Sequence, residues 1–134
     1  MTIRTQRTLL VILGLSAVFV GGWATFAARS FYDSFPGFGH HWVSMDGPYN
    51  QHLVRDVGGL YLSLLVVTVC AYRHTNLARM AGGSWLVFSI PHLIYHASHL
   101  SMYDTTDKIG NMVALGGTAL IAAVLLLAPT KGKS

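Results

Sequence analysis

The sequence predicts an all-α protein, an antiparallel four-helix transmembrane bundle, and three observations predict it. Hydrophobic residues make up 52% of the 134 and charged ones only 10%, against roughly 25% charged in an average soluble domain, so lipid is the expected solvent. Four apolar runs, at about 8–28, 52–72, 82–100 and 111–128, are each close to the ~20 residues that cross a ~30 Å hydrocarbon layer. Nearly all the Lys and Arg lie at the ends of these runs. The formal charge of +4 therefore speaks for orientation in a membrane and against a nucleic-acid partner.

The first run follows MTIRTQR and is longer than the ~7–15 residues of a signal-peptide core, so it reads as a retained span. The second begins QHLVRD, where Arg55 and Asp56 interrupt it, and becomes long enough once its polar first turn is counted. The third and fourth are plain. Arg4 and Arg7 precede span one, Arg73 and Arg79 lie between spans two and three with the solvated His74, and Lys131 and Lys133 follow span four. Those three segments are expected on the cytoplasmic side of the inner membrane, with both termini inside. The other two connections hold Asp33 and Asp46, or Asp104, Asp107 and Lys108, and face out; Asp104 is a candidate cap for span four.

The long outer loop FYDSFPGFGHHWVSMDGPYN carries Phe31, Tyr32, Phe35, Phe38, Trp42 and Tyr49, the residue types of a headgroup boundary. Its Pro and Gly argue against a continuous helix, with a helical turn expected only near HHWV. Each span contains a glycine pair, 21–22, 58–59, 82–83 and 116–117, and small residues let helices approach closely in lipid. The single cysteine, Cys70, reads as a small buried hydrophobe.

Chemistry concentrates in span three, PHLIYHASHL. His92, His96 and His99 share one helix face, with Trp85, Phe88 and Tyr95 at its edges. Pro91 frees the carbonyl of Val87, so a kink beside His92 is expected. On span two His52 and Asp56 lie one turn apart with Arg55 beside them, level with the histidines of span three. A lone charge in the membrane costs at least ~2.5–3.5 kcal/mol, so Arg55 and Asp56 are expected to face the bundle interior and meet that stripe.

Several ligands fit such a cluster. A metal ion (Zn, Cu or Fe) would take His52, Asp56, His92, His96 and His99 as candidate ligands, with Arg55 behind them. A haem b would take one or two axial histidines, among His52, His92 and His96, with Arg55 on a propionate. Either would allow redox use. A proton or quinone site is a third reading, and a hydrogen-bonded polar lock that holds the helices without binding anything is a fourth. His40 and His41 could extend the site or be plain solvated residues. There is no HExxH, GxSxG, phosphate loop or paired cysteine nucleophile, so no catalytic residue is assigned.

With FPGFGHHW, PYNQHLVRDVGGLYL and PHLIYHASHL in view, the chain resembles small four-span bacterial membrane proteins of the broad DoxX-like type. The resemblance implies the four-helix topology and transfers no site residue. The sequence thus leads to a small polytopic membrane protein binding a metal ion or haem b. The alternative is a non-catalytic accessory or assembly subunit, whose partner is a larger membrane complex or a homo-oligomer.

Overall fold

A computed structural model describes residues 1–128, so the charges expected inside at Lys131 and Lys133 lie outside the described residues. Helix α1 spans Ile3–Phe26, opened by Thr2, whose hydroxyl accepts from the Thr5 amide. It stops at Ala27, which leaves helical geometry at φ −135° and ψ 54°, and a short α2 follows at Ala28–Ser34. Next come a minimal antiparallel hairpin, β1 (Pro36–Gly37) against β2 (His40–His41), and a 3-10 turn at Ser44–Asp46. The helical turn expected near HHWV forms as the 3-10 turn that follows Val43, while HH itself is strand and a further helix forms earlier, over Ala28–Ser34. The cause is local, since Gly37, Phe38 and Gly39 all take positive φ, a run that only a tight glycine-flanked turn accommodates.

Asn50 caps α3 (Gln51–Arg73), accepting from the Leu53 amide at 3.1 Å. A 3-10 turn at Thr75–Leu77 leads into α4 (Ala78–Ser98), and another at Leu100–Met102 into α5 (Thr105–Leu127). Asp104 does cap α5, accepting from the Asp107 amide at 2.8 Å. Helix α4 continues through Pro91.

Three helices, α1, α3 and α5, are long and apolar enough to cross a membrane. This reverses the weight given to the runs: span two qualifies despite Arg55 and Asp56, whereas α4, read as plain, does not. Its Pro91, two histidines, serines and paired glycines dilute the apolar stretch, although 21 residues still rise about 31 Å.

The helices pack as two tight pairs, α1 on α3 and α4 on α5, joined by a lighter α3–α4 seam. One glycine of a pair makes each tight contact. A Cβ on Gly58 would fall against the Thr25 hydroxyl and 2.6 Å from the Thr25 nitrogen, and one on Gly82 would fall 2.7 Å from the Ala122 carbonyl and the Leu126 nitrogen. Gly22, Gly59, Gly116 and Gly117 face open space. The pairs are thus half packing devices, as small residues in lipid should be, and half not. The core combines Leu10, Leu13 and Ala17 with Tyr61, Leu64, Trp85, Ala122 and Leu125. Trp85 locks the α3–α4 seam, its indole donating to the Thr68 hydroxyl at 2.8 Å while Thr68 donates back to the Leu64 carbonyl at 2.7 Å. Large apolar side chains such as Leu15, Phe19, Val87, Ile94, Val113 and Leu120 point outward, as helices solvated by lipid tails require.

Candidate functional site at the helix ends

The buried residues of α4 run Ala78, Gly82, Trp85 and Ser89, and at 100° per residue His92 and His96 continue the same line. The histidine stripe is therefore the polar end of the helix's own core face. Phe88 stacks on His92 with centroids 5.0 Å apart, and His92 meets His96 edge-on at 4.7 Å. His99 turns away from this line. It caps the helix, its Nδ1 lying 2.8 Å from the Tyr95 carbonyl and 3.0 Å from the Ser98 hydroxyl, with its ring stacked on Tyr95.

The acidic partner of this stripe comes from the connection between α2 and α3. His96 Nε2 lies 4.0 Å from Asp46 Oδ2. Tyr103, buried after the end of α4, donates to the Trp42 carbonyl at 2.9 Å, with Asp46 Oδ1 at 3.5 Å. Burial first, then the charge of Asp46, pushes the Tyr103 phenol above its ordinary pKa, so it stays a neutral donor. The second carboxylate, Asp107 in the first turn of α5, binds the Trp42 indole N–H at 2.8 Å and His40 Nδ1 at 2.5 Å. The Trp42 ring lies over Gly110, where a Cβ would approach within 2.9 Å. Two aspartates, each held by a histidine and an aromatic donor, thus fasten the α2–α3 connection to the ends of α4 and α5. His40 joins this network, whereas His41 bonds the Asp33 carbonyl at 2.6 Å. Asp107, expected to be a plain loop charge, instead takes two close donors, His40 and Trp42.

The polar start of α3 is elsewhere. His52, Arg55 and Asp56 are all exposed, and the one contact in the group is His52 Nε2 to Asp56 Oδ2 at 3.4 Å, with side chains 88% and 60% exposed. Helix α3 turns Val54, Gly58 and Tyr61 inward instead, which leaves the charged residues on the opposite side. The expectation that Arg55 and Asp56 face the interior and meet the span-three stripe is corrected: close approach to α1 needs Gly58 at the contact, and the helix can present only one face there. Cys70, expected to be buried, is exposed on that same outer side.

No group of three or more His, Cys, Asp or Glu placed to hold a metal ion occurs among the described residues. Two hollows of about 470 and 220 Å³ lie along α1 and α3 beside Tyr72, away from the histidines. Ser89 Oγ, His96 Nδ1 and Asn111 Oδ1 are buried without a hydrogen-bond partner. The antiparallel register that sets Gly82 against Ala122 and Leu126 brings Asn111 to the level of His96, with Ser89 about two turns deeper along α4.

Sequence reasoning missed Asp46, Trp42, Tyr103 and Asn111. Only the D-x-x-D spacing of Asp104 and Asp107 carried a local signal, that of a helix start. No protein-family model, curated protein or solved structure matches the chain.

Proposed function

We propose that this chain is a subunit: an integral protein of the cytoplasmic membrane in which α4 makes a fourth crossing, both termini lie inside, and the outer cap is a polar lock. The role is that of a non-catalytic accessory or assembly component. Charge supports the orientation, since Arg4, Arg7, Arg73 and Arg79 gather at one end and Asp33, Asp46, Asp104 and Asp107 at the other. The topology agrees with the DoxX-like resemblance.

One observation carries the subunit role. Arg55 and Asp56 sit within the first two turns of a helix apolar enough to span a membrane, on its exposed face, and no ion pair to Arg55 is found among the described residues. Charges in a span normally face protein and are paired, because a lone one costs ~2.5–3.5 kcal/mol even on mild scales. A protein surface laid against this face supplies the missing partner. Extraction in a mild detergent and native sizing test it: wild type should elute in an assembly, and Arg55→Leu should release a folded single chain. A wild-type monomer under those conditions overturns the reading.

A second reading is a bound metal ion or haem b, favoured by the orphan polar atoms of Ser89, His96 and Asn111. Buried groups left without a partner cost about 1–3 kcal/mol each, and a ligand at His92 and His96 would relieve them. Such a ligand would draw on α4 and α5, with His52, Asp56 and Arg55 outside its reach. An absorption spectrum and metal assay on one purified sample decide it. A Soret band or stoichiometric metal lost in His96→Ala supports this reading, and a colourless, metal-free, folded sample rejects it.

A further inference from the structure

The exposed side of α3 has a composition that no other exposed helix face shares. His52, Asp56, Gly59, Ser63, Val66, Cys70 and Arg73 are all exposed, and their spacing alternates 4-3-4-3-4-3, a heptad repeat. That period keeps one seam facing a partner helix along a left-handed crossing. Arg55 lies beside Asp56 on the same side. Large apolar residues cover the outward faces of the other spans, Val11, Leu15, Val18 and Phe19 on α1 and Ile109, Val113, Leu120 and Leu127 on α5, and on α3 itself they flank this stripe as Leu53, Leu60 and Val69. Lipid tails are as apolar as leucine, so they gain nothing from a face of Gly, Ser, Cys and charge, whereas a second helix gains close backbone contact.

Gly59 and Ser63 form a small-x-x-x-small pair at the centre of the seam. Gly59 has open space where its Cβ would be, so nothing among the described residues requires glycine there, in contrast with its neighbour Gly58. Ser63 folds its hydroxyl back onto the Gly59 carbonyl at 2.9 Å, which keeps its profile low. Both features favour an approaching backbone.

We infer that α3 of one copy packs in parallel against α3 of a second copy of this chain, through the seam from His52 to Arg73, with Arg55 of each copy paired to Asp56 of the other. Charge complementarity identifies the occupant. A two-fold axis along the membrane normal brings the same residues of both chains to the same depth. Arg55 and Asp56 differ in height by only about 1.5 Å, so one face carries both members of the pair and is complementary to itself. Two such pairs form across the axis, and each Arg55 gains the carboxylate it lacks within its own chain. This inference rests on the subunit reading above and names the partner.

Disulfide mapping in native membranes tests it. In a Cys70→Ser background, Ser63→Cys should oxidise to a species of twice the chain mass, because seam positions of paired helices approach within the ~7 Å Cα separation that a disulfide tolerates. Leu15→Cys on α1 and Val113→Cys on α5, equally outward, should yield at least tenfold less. Asp56→Arg should cut the Ser63→Cys yield about tenfold, and adding Arg55→Asp should restore it, because the exchanged pair is again self-complementary. The cysteine map stands by itself if a charge variant fails to fold. Equal yields at all three positions mean random collision and overturn the inference. Linkage of Ser63→Cys to a different protein overturns the second copy while keeping the subunit reading, and no adduct of any size rejects both.

Discussion

Replacing Asp107 should open the cap over the ends of α4 and α5, and replacing Asp56 should not. Asp107 Oδ1 receives the Trp42 indole at 2.8 Å and His40 Nδ1 at 2.5 Å, with its side chain only 16% exposed. Hydrogen bonds to a charged group are each worth roughly 1.5–3 kcal/mol. Discounting for water that reaches the released indole and imidazole, Asp107→Ala should raise the free energy of the closed cap by about 2–4 kcal/mol. At 1.4 kcal/mol per factor of ten, the Trp42 indole N–H should then exchange with D₂O on the order of 30- to 1,000-fold faster. The Trp85 indole, bonded to Thr68 in the core, should be unchanged and serves as the internal reference. Among the described residues of its own chain Asp56 pairs only with the exposed His52, and surface pairs of this kind contribute ~0–1 kcal/mol, so Asp56→Ala should leave Trp42 exchange within about threefold. If the two substitutions accelerate Trp42 equally, or neither does, the assignment of the lock to Asp107 is wrong.

Two further outcomes follow from the same geometry. Gly58→Ala should separate α1 from α3 and cost about 1–3 kcal/mol as an overpacked contact, because its Cβ meets Thr25 backbone; Gly22→Ala, facing open space, should be neutral by thermal denaturation in detergent. Tyr103 supplies a pH dependence: its pKa is raised on folding, so its stabilisation is complete below the unfolded value of roughly 10 and is lost as pH rises through the folded one. The cap should therefore loosen on the alkaline side, followed by Trp42 fluorescence against a Trp23→Phe/Trp85→Phe background, and Tyr103→Phe should flatten that alkaline step. A profile unchanged by Tyr103→Phe would show that another group controls the cap.

Much of the chain could be read from local signals. Apolar run length placed both ends of α3 to within one residue and the starts of α1 and α5 five and six residues late, because their polar first turns lie outside the apolar runs, and Asp104 was recognisable as a candidate cap from its place before span four. Those features depend on neighbours a turn away, which the sequence displays directly. The histidine stripe was also visible, since 92 and 96 share a face wherever the helix goes. The expected pairing of that stripe with QHLVRD failed for a non-local reason. Both segments are polar and at similar depth, but rotation of α3 is set by Gly58 and Tyr61 against α1, a contact between residues about 35 apart in sequence.

By itself, then, the sequence determined an all-helical chain with membrane-spanning stretches, and it marked PHLIYHASHL and QHLVRD as its unusual polar segments. Helix periodicity and hydropathy are properties of short windows, so no tertiary knowledge was needed. Only the tertiary structure decided which acid each histidine meets, Asp46 for His96 and Asp107 for His40, and which face of α3 is left open. Those outcomes depend on how a 16-residue connection from Phe35 to Asn50 folds back over the helix ends, and on which glycine permits the closest helix contact. Both are set by packing across the whole bundle, where a side chain's partners lie tens of residues away along the chain.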